Sequence, residues 1–412
     1  MTGPAILDLN DSNLQLWHRG QAVQSPGYAL LNGTQYTFGS AARGAARLRP
    51  RDINTRYWWQ LNTESLQPAL GPARHTADLV HAHLLDIHKQ AGSPGEMILA
   101  VSGSMQRDQL ALLLGIVGQC PFDAVALVNR SVALASGYDC AGTLYHLEIQ
   151  LHQAVITELA QSEGQLEVRR TLPLPGCGLL QLQERLVEII AAAFIRQTRF
   201  DPRRKAESEQ QLYDALPAVL RSLGNTPEAN IEVMGYRARI NRTELHSAGE
   251  MLFKSAPEAM GLLHPQDKII VDPVAGLLPG LMERLPLAEL VGEKALSETL
   301  EQHIDRLIQP SQGDQALHFV TSLPCLNHPT TSATDTETTP EPEPEVALPA
   351  IEPKAEQIAP THLLLGTVAT GLSPTGTALG DSVELYNTNN HWLLRGAGAI
   401  RVNGEEYVPG QA

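Results

Sequence analysis

The chain has 412 residues and 43% of them are hydrophobic, which is enough for two or three domains with a sizeable core. Its formal net charge of -15 disfavours nucleic acid and anionic membrane surfaces as partners, because both reward clustered lysine and arginine. With no basic leader at the N-terminus and no run of about 18 apolar residues, the sequence predicts a cytoplasmic protein with no membrane partner.

Strands and helices alternate over residues 4–320. Apolar and alternating patterns predict strands at 4–11, 97–103, 122–129, 143–152, 153–164, 165–174 and 267–273. Helical spacing of apolar residues predicts helices at 76–92, 107–120 and 181–198. Two halves each open with a strand and hairpins and continue into helices, which predicts an α/β fold with mixed sheets flanked by helices.

The composition changes sharply after residue 325. Residues 326–361 are rich in Thr, Pro and Glu and predict an extended linker, because they bury too little apolar surface to offset their ordering entropy. Residues 362–412 alternate short apolar runs with turns, and Asn403-Gly404 is a strong hairpin signal. We therefore predict a domain at 1–325, the linker, and a small all-β module at 362–412.

Two motifs in the middle of the chain point to a family. Val101-Ser102-Gly103 and the turn that begins Asn129-Arg130-Ser131 flank a strand-helix-strand unit. They resemble the Val-Pro-Ala and Asn-Glu-Pro-Thr-Ala-Ala motifs in the nucleotide-binding domain of DnaK-type (seventy-kilodalton heat-shock) chaperones, which belong to the actin-like ATPase superfamily. The resemblance covers residues 4–320 and implies a two-lobed fold with an ATP-binding cleft.

The residues that would hold the first phosphates differ from those of this family. Where the family has an Asp-Leu-Gly-Thr-Thr loop, this chain keeps Asp8 but has Asn10 for the glycine, followed by Asp11 and Ser12. Arg43 stands in the place of the family's catalytic lysine, and its guanidinium lacks the compact geometry of an ammonium. Because glycine loops bind phosphate through bare backbone N–H groups, we expect that this loop no longer binds the phosphates of a nucleotide.

The second phosphate loop has lost all three of its glycines. The family's Asp-Leu-Gly-Gly-Gly-Thr loop corresponds to residues 148–153, Glu-Ile-Gln-Leu-His-Gln, and Cβ atoms disfavour positive φ angles in such a loop. The stretch instead predicts a regular strand with His146, Glu148, Gln150 and His152 on one polar face. We predict that this face is solvated or lines the cleft.

The residues that would contact the nucleoside also differ from those of this family. The helix that offers Glu, Lys, Arg and Ser in the family has Pro217, Leu220, Arg221 and Gly224 here, so only the arginine is kept. The closing Gly-Gly-Ser-Thr-Arg turn corresponds to residues 272–276, where Pro273 removes an amide donor and Asp272 adds negative charge.

These losses predict a non-catalytic, DnaK-like pseudo-ATPase with no cofactor and no bound metal. It would bind a protein partner through its lobes and its β module, the tether raising the effective concentration of the second contact. The alternative is an ATP-binding conformational switch, or a chaperone-like ATPase, in which Asp8, Arg43 and Glu148 take the catalytic roles and Asp8 lies near Mg²⁺. The remnants of the nucleotide site would then be Asn10, Asp11, Ser12, Gln150, Arg221 and Gly276.

A small-metabolite kinase is a third alternative. It would need an acidic base beside a polar sugar pocket, and neither is evident from the sequence. The strand set His146, Glu148 and His152 spans about 20 Å, too far for one metal ion without a partner strand. Zinc pairs on helices are four residues apart, so we expect an exposed surface position for His81, His83 and His88.

Two further segments have distinctive composition. The basic stretch 47–56 precedes Tyr57, Trp58 and Trp59, and we predict a surface loop whose tryptophans dock on the adjacent lobe. Residues 400–411 resemble the last hairpin of forkhead-associated phosphopeptide-binding domains. The signatures that would recognise phosphothreonine are not evident, so a general interaction module is the expectation there.

Overall fold

The computed structural model describes residues 3–308 and 317–326, together with the backbone of strands between residues 362 and 406. Contacts divide the chain into two units, Met1–Ser332 and Ala333–Ala412. Apart from Leu326, the predicted linker at 326–361 lies outside the described residues. Within the described part, every helix is too short or too polar to span a lipid bilayer.

The elements of the first unit follow one another in the order that the sequence predicts. Up to residue 135 they are β1 (Ala5–Leu9), β2 (Leu14–His18), β3 (Gln21–Ser25), β4 (Ala29–Asn32), β5 (Gln35–Phe38), α1 (Gly39–Arg43), β6 (Ile53–Asn54), α2 (Thr76–Gln90), β7 (Glu96–Val101), α3 (Arg107–Val117), β8 (Asp123–Asn129) and α4 (Arg130–Ala135). From residue 144 they are β9 (Leu144–Ile149), β10 (Gln153–Ser162), β11 (Gln165–Pro175), α5 (Leu179–Thr198), α6 (Ala206–Asn225), β12 (Glu228–Val233), β13 (Tyr236–Asn241), α7 (Glu250–Met260), β14 (Lys268–Val271), α8 (Pro273–Gly276), α9 (Leu281–Arg284), β15 (Ala288–Leu290), α10 (Ala295–Gln302), α11 (Ile304–Leu307), β16 (Phe319–Val320) and β17 (Ser322–Pro324).

Two six-stranded mixed sheets share one internal arrangement. In the first sheet, ordered β16-β8-β7-β1-β2-β3, β7 runs parallel to β1 and β8 parallel to β7, while β2 and β3 form an antiparallel meander. In the second sheet, ordered β15-β14-β9-β10-β11-β17, β14 and β15 are parallel to β9, while β10 and β11 form the meander. The predicted α/β fold with mixed sheets flanked by helices is therefore confirmed.

The carboxyl ends of the parallel strands bring distant polar residues together. β1 and β9 are buried along their whole length, and their apolar side chains belong to the cores on either side of the sheets. Asp8 and Glu148 lie near the ends of these two strands, Arg130 follows β8 and Asp272 follows β14. Because parallel strands end at the same edge of a sheet, Asp8 and Arg130 share one edge of the first sheet, and Glu148 and Asp272 share one edge of the second. Hydrogen bonds from Arg130 join the two edges.

The predicted surface loop after β6 lies only partly at the surface, because two of its three aromatic residues belong to the core. Tyr57 and Trp58 are buried, and both contact Nδ1 of His83, at 2.8 Å from the tyrosine hydroxyl and 3.1 Å from the indole nitrogen. Trp59 is 39% exposed and stacks on the ring of His152 at 5.1 Å, so the predicted docking on the second half is confirmed for Trp59. It is wrong for Trp58, which packs in the core of the first half.

The predicted surface position of the α2 histidines is wrong for His83 and His88, which are both buried. The buried face of α2 also contains Leu79, Val80 and Leu84, and His83 lies between them at helical spacing. Burial among these groups lowers the pKa of His83 to about 3, so the ring is neutral in the folded protein.

The second unit contributes short antiparallel strands. They are β18 (His362–Leu365), β19 (Val368–Gly371), β20 (Thr377–Ala378), β21 (Val383–Thr388), β22 (His391–Gly396), β23 (Arg401–Val402) and β24 (Glu405–Glu406). Val402 pairs with Glu405, so the strands on either side of Asn403-Gly404 form the predicted hairpin. Whether these strands form one module stays a prediction.

Candidate functional site

The centre of the candidate site is the buried guanidinium of Arg130. Asn129 accepts hydrogen bonds from the backbone N–H groups of Ser131 and Val132, and this cap fixes the start of α4. Arg130, the first residue of α4, is 5% exposed and points between the two sheets. Its Nε donates to Asp8 Oδ1 at 2.7 Å, and its Nη1 donates to both oxygens of Asp272 at 3.0 Å.

Two residues of β9 complete the cluster. Arg130 Nη1 donates to Glu148 Oε2 at 3.3 Å and lies 3.5 Å from Nε2 of His146. The other oxygen of Glu148 accepts hydrogen bonds from the Ser102 hydroxyl and, at 2.8 Å, from the side-chain amide of Gln150. His146 and Glu148 are fully buried, which excludes the solvated alternative for this part of β9, and the alternative that the face lines a cleft stays a prediction.

The cluster has more negative than positive charge. Burial raises the pKa of Asp8, and the neighbouring guanidinium of Arg130 opposes that shift. Burial also disfavours the charge of Asp272, but Arg130 and His146 outweigh it and hold the pKa of Asp272 below its ordinary value. The three carboxylates raise the pKa of Arg130 well above its ordinary value in spite of burial. One internal cation thus balances several carboxylates.

Asn10 and Asp11 hold the turn between β1 and β2. Asn10 Oδ1 accepts from the backbone N–H of Ser12 at 3.0 Å and from its hydroxyl at 2.9 Å, which closes an Asx turn where the resembled family has glycine. Asp11 Oδ1 accepts from the backbone N–H of Leu151 at 2.8 Å. A carboxylate of the chain itself is therefore bound by the second predicted phosphate loop.

Backbone N–H and carbonyl groups of the turn between β9 and β10 form hydrogen bonds with other backbone groups of the chain. The Gln150 N–H donates to the carbonyl of Gln153 at 2.8 Å. The N–H groups of Leu179 and Leu180, at the start of α5, donate to the carbonyls of Gln150 and Leu151 at 2.8 and 3.1 Å. The turn is thus a hydrogen-bonded hairpin corner packed against the start of α5.

Arg43 lies apart from the Arg130 cluster. Together with Ser12, Leu220 and Arg221 it lines a cavity of about 250 Å³ whose other walls include leucine side chains of α5, α6 and the segment after β14. In the described part of the chain, neither the Arg43 nor the Arg221 guanidinium forms an ion pair. The predicted trio of Asp8, Arg43 and Glu148 is therefore divided, because Asp8 and Glu148 both contact Arg130.

The other predicted remnants are also distributed over separate places. Asn10, Ser12 and Arg221 line a cavity of about 170 Å³ with Asp8 and Arg130, whereas Asp11 and Gln150 line another. Gly276 ends α8, and a Cβ atom there would lie 2.2 Å from the Leu290 side chain. A leucine of β15 thus covers Gly276, where the resemblance places the nucleoside.

A metal site could be built at the same cluster only by displacing the arginine. Ligand-type atoms of His146, Glu148 and Asp272 lie within 4.8 Å of one another, a separation that one ion could bridge. Arg130 Nη1 already contacts all three, at 3.0 to 3.5 Å. His152 is not part of this set, because its Nε2 contacts the carbonyl of Thr55 at 3.0 Å.

Sequence reasoning considered these ionisable residues one at a time and missed that they assemble. Asp272, which follows the neighbouring strand β14, lies beside His146 and Glu148 of β9 and completes the set of ligand-type groups. Arg130 supplies the cation. The usable signal was positional: Asp8 and Glu148 stand one residue before the end of a buried strand, and Arg130 and Asp272 stand one residue after one.

Comparison with known proteins adds no family assignment: no protein-family model matches the chain, and no curated protein matches it in sequence.

Asp11 provides a pH-dependent test of the turn geometry. Burial raises its pKa from the ordinary value of 3.8 to about 7, so its contribution to stability is lost as the pH rises from about 4 to about 7. The Asp11→Asn variant keeps an acceptor for the Leu151 N–H without the charge. We expect it to be more stable than wild type above pH 7 by about 4 kcal/mol, with no difference near pH 4.

The measurement is urea denaturation of both proteins across this pH range. Protonation of His83 in the unfolded chain opposes the trend, but it cancels in the difference between the two proteins. A variant less stable than wild type at high pH would contradict the assignment of a raised pKa to Asp11.

Proposed function

We propose that this chain is a DnaK-like pseudo-ATPase of actin-like, two-lobed fold that acts as a non-catalytic, protein-binding scaffold or adaptor. The two sheets with one shared arrangement support the fold, since the halves resemble each other in topology. The convergence of Asp8, Glu148 and Asp272 at the carboxyl ends of strands from both sheets supports a cleft at the expected place.

The observation that carries the proposal is the position of the Arg130 guanidinium. Phosphoryl transfer by ATPases needs a metal ion that bridges the phosphates and neutralises developing charge. Here Arg130 takes the place of the glutamate in the resembled motif, and its charge lies among the carboxylates that would hold a hydrated ion. A divalent cation would have to displace a buried, multiply bonded arginine.

A group of the chain also occupies the position where the resemblance places the phosphates. Asp11 binds the Leu151 N–H that a phosphate oxygen would otherwise reach, so a nucleotide would meet a carboxylate at that point. Losing even two charge-assisted contacts costs about 3–6 kcal/mol. Both elements of catalysis, the metal and the phosphate cradle, are thus replaced by groups of the chain itself.

Two surfaces support the scaffold role. At the tip of the β12–β13 hairpin, Met234 and Tyr236 are 52% and 46% exposed and flank a glycine turn. The strands at 362–406 lie in a second unit and offer a second contact. A partner that engages both would gain affinity through effective concentration.

The experiment that tests the pseudo-ATPase is a titration with a fluorescent ATP analogue, with and without Mg²⁺, and thermal melting of the same samples. A ligand at about 100 times its Kd adds about 2.7 kcal/mol of stability, which melting would detect. We expect no Mg²⁺-dependent binding, no melting shift and no phosphate release. Mg²⁺-dependent binding together with hydrolysis would overturn the proposal.

The second candidate function is a nucleotide-responsive switch that does not hydrolyse ATP. It is favoured by Arg43 and Arg221, two guanidinium groups without ion-pair partners in the described chain, beside a leucine-lined cavity. Because Arg130 fills the cation position, such binding would not depend on Mg²⁺. It would weaken about tenfold or more in Arg43→Ala or Arg221→Ala, whereas Arg196→Ala would have no effect, because Arg196 does not line the cavity.

A further inference from the structure

A separate cavity of about 170 Å³, room for about six waters at liquid density, has a distinctive lining. Its walls come from the loop after β6, the start of α3, and the turn between β9 and β10. The side chains that supply its polar and aromatic surface include Asp11, Trp58, Trp59, Ser104, Gln150 and Gln153.

The charge of this lining excludes several ligand classes. Among the described residues that line the cavity there is no lysine or arginine, and the one ionisable side chain is the carboxyl of Asp11. A phosphate or carboxylate ligand would therefore meet no cation and one acidic group. Amides and hydroxyls, which both donate and accept, favour a neutral ligand with many hydroxyl groups.

The polar groups are held in place before any ligand arrives. The Gln150 amide donates to the Ser104 hydroxyl at 3.0 Å, and its carbonyl oxygen accepts from the Gln153 amide at 2.8 Å. Gln153 is 9% exposed, and its side-chain Oε1, unlike its backbone carbonyl, accepts no hydrogen bond from a described residue. This oxygen can accept a hydrogen bond from a ligand hydroxyl, and the ordered side chains lose little entropy on binding.

Two tryptophans provide the apolar counterpart. Trp58 is fixed in the core by its bond to His83, whereas Trp59 is 39% exposed and is held by its carbonyl, which accepts from the Gln109 amide at 3.1 Å. The C–H face of a cyclic polyol packs on an indole ring, while the hydroxyls at its edge reach the amides. A linear or purely apolar molecule would use only one of these two surfaces.

From this combination we infer that the cavity between Trp59 and Gln153 is a binding site for a neutral cyclic polyol, such as a single sugar ring or an inositol. The inference is independent of whether the Arg130 cluster binds nucleotide, since the two sites share no charged donor. It assigns binding only, and no group transfer.

The test uses the full-length protein and a panel of glucose, galactose, mannose, ribose and myo-inositol. Tryptophan fluorescence and saturation-transfer NMR would follow binding. We expect at least one member to bind saturably in the millimolar range or tighter. We expect its phosphorylated or carboxylate derivative to bind at least about tenfold more weakly, because no cation lines the cavity.

Two variants locate the site. Trp59→Ala removes the aromatic wall and Gln153→Leu removes the unpaired acceptor, and each is expected to weaken binding about tenfold or more. Leu262→Ala, which removes a large apolar side chain that is 86% exposed and does not line the cavity, is the control and should bind like wild type. No saturable binding by any member of the panel, or binding unchanged in both variants, would overturn the inference.

Discussion

Replacement of Arg130 by methionine is expected to lower the free energy of unfolding by about 3–5 kcal/mol. Methionine preserves much of the side-chain volume but removes the charge that Asp8, Glu148 and Asp272 surround. Breaking a buried ionic network by deleting one partner leaves the remaining charges uncompensated in a medium that solvates them poorly. Denaturation by urea near neutral pH measures the loss.

The matched control is Arg196→Met. Arg196 also pairs with a carboxylate, Glu244, but its side chain is 58% exposed, and pairs of this kind contribute about 0–1 kcal/mol. If the two substitutions cost the same, the Arg130 cluster would not be the buried, mutually dependent network described above.

A compensating variant keeps the prediction testable even if Arg130→Met alone does not fold. Changing Glu148→Gln and Asp272→Asn in the Arg130→Met background removes two of the stranded charges while preserving shape. We expect this triple variant to regain most of the lost stability, because replacing a whole buried ionic set is far less costly than breaking it. A triple variant no more stable than the single one would contradict the electrostatic cause.

The cation position can also be tested with metal. In Arg130→Ala, the atoms of His146, Glu148 and Asp272 that lie within 4.8 Å of one another become free to bind an ion. We expect Zn²⁺ to raise the melting temperature of this variant but not of wild type, because imidazole and carboxylate groups suit zinc. Equal effects on both proteins would show that the metal binds elsewhere.

The order of strands and helices was accessible from the sequence because it depends on local patterns. The strand at 122–129, for example, was predicted from a short apolar run, and β8 spans Asp123–Asn129. The site depends instead on pairings across long separations. Arg130 lies 122 residues from Asp8 and 142 from Asp272, and no local pattern indicates that these residues meet.

The burial of His83 could have been predicted from the helical spacing of the apolar residues of α2. It lies four residues after Leu79 and four before Ile87, both fully buried, so helical spacing places it on the apolar face of α2. The sequence could not show that a tyrosine hydroxyl and an indole N–H would both satisfy its ring nitrogen. Those partners come from the loop after β6, whose position follows from tertiary packing alone.

Gly178→Ala is expected to lower the free energy of unfolding by about 3 kcal/mol, near the upper end for overpacking. A Cβ atom at this position would lie 2.3 Å from the carbonyl carbon of His152 and 2.4 Å from the Gln153 nitrogen. Both are backbone atoms of the β9–β10 turn, which cannot give way as a flexible side chain can. Moving the turn would strain the bonds from Leu179 and Leu180 to its carbonyls.

The Gly115→Ala variant is the matched control for this prediction. Gly115 lies on the exposed side of α3, where an added Cβ meets no atom within 4 Å, so alanine should stabilise the helix by about 0.5–1 kcal/mol. Chemical denaturation of the three proteins separates steric cost from helix propensity. If Gly178→Ala were as harmless as Gly115→Ala, the turn would be free to move. Its Leu151 N–H would then be available to an anion, and the case against a phosphate site there would fail.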